Sequence, residues 1–120
     1  IRLFMVSSSE FIKGYTEIIV CALLYDGDDY IYNLVKRIVG SGGGEVQITN
    51  PSLLMIMKKM LSEGKITSYM AESKTGVDRR YYSLTPFGRS YFEAARQDYL
   101  DSLNTLKFLI SGGKTHENED

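Results

Sequence analysis

Two clusters of side chains in this 120-residue chain could hold a phosphate or read a polar edge. The first is Lys74, Arg79 and Arg80, spread around a Thr75-Gly76 turn and ahead of a Tyr81-Tyr82 pair. Guanidinium groups match phosphate oxygens with two parallel donors, while an ammonium acts as a point charge. The second cluster is Thr49, Asn50, Ser52, Lys58 and Lys59, a run of hydroxyl, amide and ammonium donors around a proline. Such groups serve phosphates and base edges. Both clusters fall within residues 36–89, which carry nine Lys and Arg against four Asp and Glu, a net +5; the rest of the chain is −6 and the whole is −1. A basic middle between acidic ends suits a local polyanion-binding face, although a solvated face without a partner carries the same pattern.

Other chemistries lack their residues. His116 is the sole histidine and lies in a polar C-terminal stretch, where a base or metal ligand is improbable. Cys21 is the sole cysteine, so no internal disulfide can form; it sits in the apolar run Ile18–Tyr25 and reads as a buried structural thiol. The run Gly40-Ser41-Gly42-Gly43-Gly44 lacks the Lys-Ser/Thr partner of a phosphate-cradling loop. Asp26, Asp28 and Asp29 are accounted for by a turn and a helix cap. No enzyme activity, cofactor or metal site is expected. Nor is a membrane partner, since no apolar run reaches the roughly 18 residues of a span. With no secretory signal recognised and one free thiol, a cytoplasmic location is expected.

The elements that must position these clusters follow from periodicity. A first helix is expected over about Ser9–Tyr25, with Ser7 and Glu10 as a capping box and Phe11, Tyr15, Ile18, Ile19, Ala22 and Leu23 as its apolar stripe. Asp28 is expected to cap a second helix that buries Ile31, Leu34, Val35 and Ile38. Asn50, ahead of Pro51, is expected to cap a third, with Leu53, Ile56, Met57, Met60 and Leu61 inward. Two extended segments, about 65–72 and 77–84, flank the turn at Ser73–Gly76, with Ile66, Met70, Tyr82 and Leu84 as the inward set. On alternating strand faces Arg79 and Arg80 point opposite ways, so one reaches phosphate while the other supports the hairpin or pairs with an acid. Charges that merely protect a strand edge would look similar.

Thr85-Pro86 opens a last helix through Ile110, with Gly88 in its first turn, where a glycine costs little. Phe92, Ala95, Tyr99, Leu103, Leu106 and Ile110 keep one stripe along it. At 1.5 Å per residue this helix is about 37 Å long, longer than the body before it, so the stripe needs a second copy of the chain to cover it. The fold is therefore expected to be mostly α with a small β-hairpin. It reads as a winged helix-turn-helix over residues 9–85, a long dimerisation helix over 86–110 and a disordered tail over 111–120. In this order the third helix can enter a major groove while the hairpin lies against the backbone beside it.

The stretch Arg79-Arg80-Tyr81-Tyr82-Ser83-Leu84-Thr85-Pro86-Phe87-Gly88-Arg89 resembles the wing-to-last-helix motif of PadR-type transcriptional repressors. Tyr30-Ile31-Tyr32 with Leu34, and Met60-Leu61-Ser62-Glu63-Gly64-Lys65-Ile66, are similar to that family's entry to helix two and exit from helix three. The single C-terminal helix is like that of the smaller subfamily, which includes regulators of multidrug exporters. The resemblance implies a homodimeric repressor of double-stranded operator DNA, with Thr49, Asn50, Ser52, Lys58, Lys59, Lys74, Arg79 and Arg80 as the contact set. It also implies release by a planar aromatic effector in a cleft at the dimer centre. Tyr99 takes the position of that subfamily's cleft aromatic, and Phe11, Gly14, Ile18 and Ala22 match the facing side of helix one. Leu103 lies along the same cleft, and Arg96 departs from an apolar lining and would favour an anion. A closed, dry interface filled by Phe11 and Ile18 is the other reading. Two positions depart from the family: Leu54 stands where it has a tyrosine that reaches DNA, and Asn33 where it has glycine. Leu54 keeps open an alternative function, a winged-helix protein–protein interaction module without DNA binding.

Overall fold

The computed structural model describes residues 14–43 and 46–113. The expected capping box at Ser7 and Glu10, the position of Phe11 and the first residues of the long first helix lie outside them. Helix α1 spans Thr16–Tyr25, α2 Ile31–Ser41 and α3 Asn50–Ser62; strands β1 (Ile66–Glu72) and β2 (Asp78–Leu84) follow, then α4 (Pro86–Ile110). The element order is the expected mostly helical one with a two-stranded antiparallel hairpin. Among the described residues no helix is long and apolar enough to cross a membrane.

Helix α1 corrects its expected stripe. The residues it buries are Thr16, Val20, Cys21 and Leu24, whereas Ala22 is exposed and Ile18, Ile19 and Leu23 are only half-buried. A helix apolar on nearly all sides gives periodicity no polar face to register against, so the inward side could not be chosen. Gly14 also falls off the helical face assigned to it. It lies in a turn before α1, where the Ile19 N–H donates to the Tyr15 carbonyl at 3.1 Å.

Asp29, not Asp28, anchors the start of α2. Its carboxylate is buried and accepts from the Tyr30 backbone N–H, the Asn33 amide and Arg37 Nη1, each at 2.8 Å. Leu34 and Ile38 then face inward as expected. At α3 the cap is Thr49, whose hydroxyl oxygen accepts from the Ser52 N–H at 3.2 Å. Asn50 is therefore the first helical residue, and its side chain is released from the capping role expected of it. Leu53, Met57 and Met60 enter the core with Val20, Cys21, Leu24, Leu34, Ile66, Tyr82 and Phe92.

The hairpin runs in register from Ile66 opposite Leu84 to Glu72 opposite Asp78. Its turn closes with the Gly76 N–H donating to the Ser73 carbonyl at 2.9 Å, and Gly76 takes φ +83°, a left-handed conformation natural to glycine. Ile66 and Tyr82 are buried, but Met70, expected inward, is 57% exposed because the hairpin tip has passed the edge of the helical body. One pairing was not anticipated. The backbones of Asp29 and Tyr82 exchange two hydrogen bonds, at 2.8 and 3.3 Å, so the α1–α2 connection forms a minimal third strand against the wing.

Thr85 caps α4 through the Gly88 N–H at 2.9 Å and donates its own hydroxyl to the Gly64 carbonyl at 2.6 Å. Gly88 is more constrained than a first-turn glycine was expected to be: a Cβ there would lie 1.9 Å from the Lys65 carbonyl oxygen. Further along α4, Phe92 is buried, and then burial fades until Leu109 is 63% and Ile110 76% exposed. Residues 111–113 form a turn that returns the Gly113 N–H to the Phe108 carbonyl; residues 114–120, with His116, lie outside the described part.

Two outcomes are expected. Gly88→Ala should destabilise the fold by about 1–3 kcal/mol, because the clash is with backbone that cannot rotate away; an unchanged thermal midpoint would show that the junction yields. Burial pushes the Cys21 thiol up to about 11 even though Lys65 nearby works the other way. The folded thiol stays protonated where an unfolded one, at about 8.5, ionises. Its contribution to stability is therefore complete below about pH 8.5 and is lost as pH rises through the folded value. Thiol titration with a disulfide reagent at pH 8 should find Cys21 silent until the protein unfolds.

Candidate nucleic-acid interface

Helix α3 buries one side and presents Asn50, Ser52, Met55 and Lys58 on the other. The core contacts of Leu53, Met57 and Met60 fix which side that is, since residues three and four apart share a helix face. Ser52 Oγ also accepts from the Thr49 hydroxyl at 2.9 Å, which ties both hydroxyls to the cap. Asn50 keeps its exposed amide at the helix N-terminus. Met55, 67% exposed at the middle of this face, was not singled out from the sequence; its place opposite Leu53 and Met57 is the signal that could have found it. Leu54 is half-buried and offers no donor.

Lys59 does not stand free beside Lys58. Its ammonium pairs with Glu17 of α1 and with Glu63 at 3.0 Å. Lys65 pairs with the same two carboxylates, at 3.4 Å to Glu17 and 3.2 Å to Glu63, so four charges alternate around a closed ring. Its hydrogen bonds to Glu17 and then to Glu63 hold the Lys59 ammonium above the ordinary lysine range. The bonds from Lys59 and Lys65 hold Glu63 below the ordinary carboxylate range. Burial opposes the charge on Lys65, but its bond to Glu63 and the groups around it leave its pKa raised. Glu17 had drawn no attention in the sequence, because both of its partners come from other elements.

The two wing arginines divide as the strand alternation requires. Arg79 is half-buried, with its guanidinium 4.8 Å from the centre of the Tyr30 ring and its Nε buried without a hydrogen-bond partner among the described residues. It continues an aromatic stack in which Tyr30 meets Tyr81 edge-on at 5.5 Å and Tyr81 lies over Tyr69 at 5.8 Å. The Tyr69 hydroxyl donates to Asp28 at 2.5 Å, so Asp28 secures the wing rather than a helix. Arg80 is exposed on the opposite face and donates to Ser68 Oγ at 3.0 Å. Lys74 is exposed at the turn. Of the expected contact set all but Arg79 are exposed; Thr49 and Ser52 share the cap, Lys59 is held by Glu17 and Glu63 and Arg80 donates to Ser68, which leaves Asn50, Lys58 and Lys74 without such a partner among the described residues.

A second feature lies between α1 and α4. An open apolar groove of about 430 Å³ is lined by Tyr15, Ile18, Ile19 and Ala22 on one side and by Phe92, Arg96, Tyr99, Leu100 and Leu103 on the other. Tyr15 and Tyr99 meet edge-to-face at 5.7 Å. Ile18, Ala22, Arg96, Tyr99 and Leu103 are brought together as expected; Gly14 is exposed in the turn before the helix, and Phe11 lies outside the described residues. Ile19 and Ala22, which lie outside the core, form this wall together with Tyr15 and with Ile18, which packs on the core as well.

Comparison with known proteins agrees with this architecture. The family model described as the transcriptional regulator PadR-like family matches residues 20–94. A transcriptional regulator from Clostridium thermocellum is 28% identical, with a TM-score of 0.72 over 85% of this chain and 96% of that one. A PadR-like transcriptional regulator from Bacillus cereus strain ATCC 14579 is 22% identical, with a TM-score of 0.75 over 85% of this chain and 97% of its own. A PadR family transcription regulator from Clostridium difficile R20291 is 24% identical, with a TM-score of 0.69 over 81% and 99%. The family match covers the core, α3, the wing and the first turns of α4, and with it the chain belongs to the PadR-like family of transcriptional regulators.

Proposed function

We propose that this chain is a homodimeric repressor that binds a pseudo-palindromic operator and is released by a small apolar effector. The observation that carries the reading is α3 itself. Its inner side is locked in the core and its exposed side carries Asn50, Ser52 and Lys58, which would enter a groove while the exposed Arg80 and Lys74 of the wing meet the backbone beside it. Asn50 is the residue best placed to read a base, because an amide can donate and accept together and Thr49 has taken over the cap. Lys58, Lys74 and Arg80 would neutralise phosphates. The C-terminal part of α4, with Leu106, Leu109 and Ile110 exposed, would pack on a second chain, and Tyr99 and the groove would lie beside that contact.

The competing reading is an interaction module without DNA binding. It is favoured by Met55, a large apolar side chain at the centre of the exposed face, next to Leu54 with no donor. Salt separates the two readings. In an electrophoretic shift with DNA from upstream of its own gene, affinity should fall with a slope of about −0.9 per phosphate neutralised. A complex insensitive to salt, or none at all, would favour the module.

Five outcomes are expected of variants. Arg80→Ala should lower affinity on every sequence and reduce the salt slope by about one. Arg79→Ala should instead lower the thermal midpoint, and a reversed pattern would exchange their roles. Asn50→Ala should change the consensus returned by a binding-site selection. Leu106→Glu with Ile110→Glu should give monomers by sedimentation; wild type that is already monomeric at micromolar concentration would sink the dimer. Tyr99→Ala divides the roles of the groove. A packing role predicts a weaker dimer, and an effector role predicts a stable dimer that no longer binds planar aromatic dyes.

A further inference from the structure

From Ser52 to the end of α3 the exposed residues are Ser52, Met55, Lys58, Lys59 and Ser62, and Met55 is the apolar exception. It is 67% exposed and takes no part in the core that holds Leu53, Met57 and Met60. Its place on the helix is particular. At about 100° per residue, Met55 falls within about 20° of the line pointing directly away from those three core residues. Lys58 and Lys59 follow one turn later, each about 50° off that line and on opposite sides of it. Ser62 also lies near the line, but at the far end of the helix, where its hydroxyl is donated back to the Lys59 carbonyl at 2.7 Å. Met55 is therefore the crest of α3 in its N-terminal half, with a lysine down each flank.

A helix lying in a major groove meets base edges along its crest and phosphates along its flanks. A thioether side chain has no hydrogen to donate and accepts only weakly. Among the four bases, thymine alone presents an apolar group in that groove, its C5 methyl. Against any other base edge Met55 would cover donors or acceptors and leave them unpaired, which costs free energy. An unbranched side chain with three rotatable bonds and a polarizable sulfur can settle on a methyl group without exacting placement. The flanks decide between this occupant and an apolar pocket of a partner protein. Such a pocket closing over Met55 would desolvate the Lys58 ammonium without a counter-charge, whereas phosphate would supply one. Lys59, already paired with Glu17 and Glu63, keeps 57% of its side chain exposed on the other flank.

We propose that Met55 is a specificity residue: it reads a thymine in each half-site by packing on the C5 methyl. The inference rests on the DNA-binding reading above and adds to it a base type and the atom by which that base is known. Asn50 reads polar edges by hydrogen bonds, and Met55 reads the one apolar edge by contact.

The test removes that methyl and nothing else. In the operator returned by a binding-site selection, each thymine is replaced by deoxyuracil, one symmetric pair at a time, and affinity is read by fluorescence anisotropy. Base pairing and every groove donor and acceptor stay as they were. At one position per half-site, wild type should lose about three- to fourfold in affinity for each methyl removed, the worth of withdrawing one such group from water. Met55→Ala should bind thymine and deoxyuracil operators alike at that position, and Met55→Leu should keep part of the difference. The thermal midpoint of Met55→Ala should match wild type, because the side chain lies outside the core. Equal loss in wild type and Met55→Ala would assign the methyl to another residue or to the stiffness of the DNA, and would overturn the proposal. So would an operator without a methyl-sensitive thymine, or a Met55→Ala protein whose affinities all match wild type, which would leave Met55 to a protein partner. Wild type that binds no DNA would overturn the underlying reading as well, an outcome distinct from binding without methyl sensitivity.

Discussion

The backbone at Gly88 passes so close to the Lys65 carbonyl that a single methyl group would occupy the same space. That oxygen already accepts the Thr85 N–H at 3.1 Å, and the Thr85 side chain spans from the Gly64 carbonyl to the Gly88 N–H. The end of α3, the start of β1, the end of β2 and the first turn of α4 are thus drawn to one point. The wing cannot tilt, and α4 cannot swing, without breaking a hydrogen bond in this junction. The direction in which α4 leaves the body is set here, and so is the angle between the proposed reading helix and the proposed dimer helix. Phe92, one turn further on, converts that direction into burial, worth about 1.5–3 kcal/mol for a side chain of this kind.

Two polar assemblies complete the frame on either side of this junction. Asp29 ties the start of α2 to the wing, with three donors on its carboxylate and two backbone bonds to Tyr82. The ring of Glu17, Lys59, Glu63 and Lys65 ties α1 to α3 and β1. Both place charges at element boundaries rather than in the apolar centre, where desolvation would outweigh the attraction. Their effect on the interface is selective. By pairing Lys59 with two carboxylates, half-burying Arg79 and holding Thr49 at the cap, the fold engages three of the eight expected contact residues and leaves Lys58, Lys74 and Arg80 in solvent.

Much of this was legible in the residues. The bounds of α4, the Thr85 cap, the hairpin with its turn and the inward faces of α2 and α3 follow from signals carried by neighbours in sequence. What escaped was carried by neighbours in space. The Asp29–Tyr82 pairing, the ring through Glu17 and the stack of Arg79 on Tyr30 each join residues far apart in the chain, and no local pattern marks them. The Thr49 cap was missed for a narrower reason: Thr49, Asn50 and Ser52 all satisfy capping chemistry, and only the backbone shows which one sits at the boundary. Met70 read as inward because strand alternation continues after the body it faces has ended.

Helix α1 contributes to two separate environments at once. Val20, Cys21 and Leu24 are spoken for by the core, Ile18 packs on the core and lines the open groove, and Ile19 and Ala22 face the groove. Substitutions on the two sides therefore have unequal histories open to them. Enlarging Cys21 must be matched by a compensating loss elsewhere, whereas enlarging or shrinking Ala22 changes only the volume and shape of the groove. The groove wall can therefore change shape by single substitutions at Ile19 and Ala22 while the core that seats α3 stays constant.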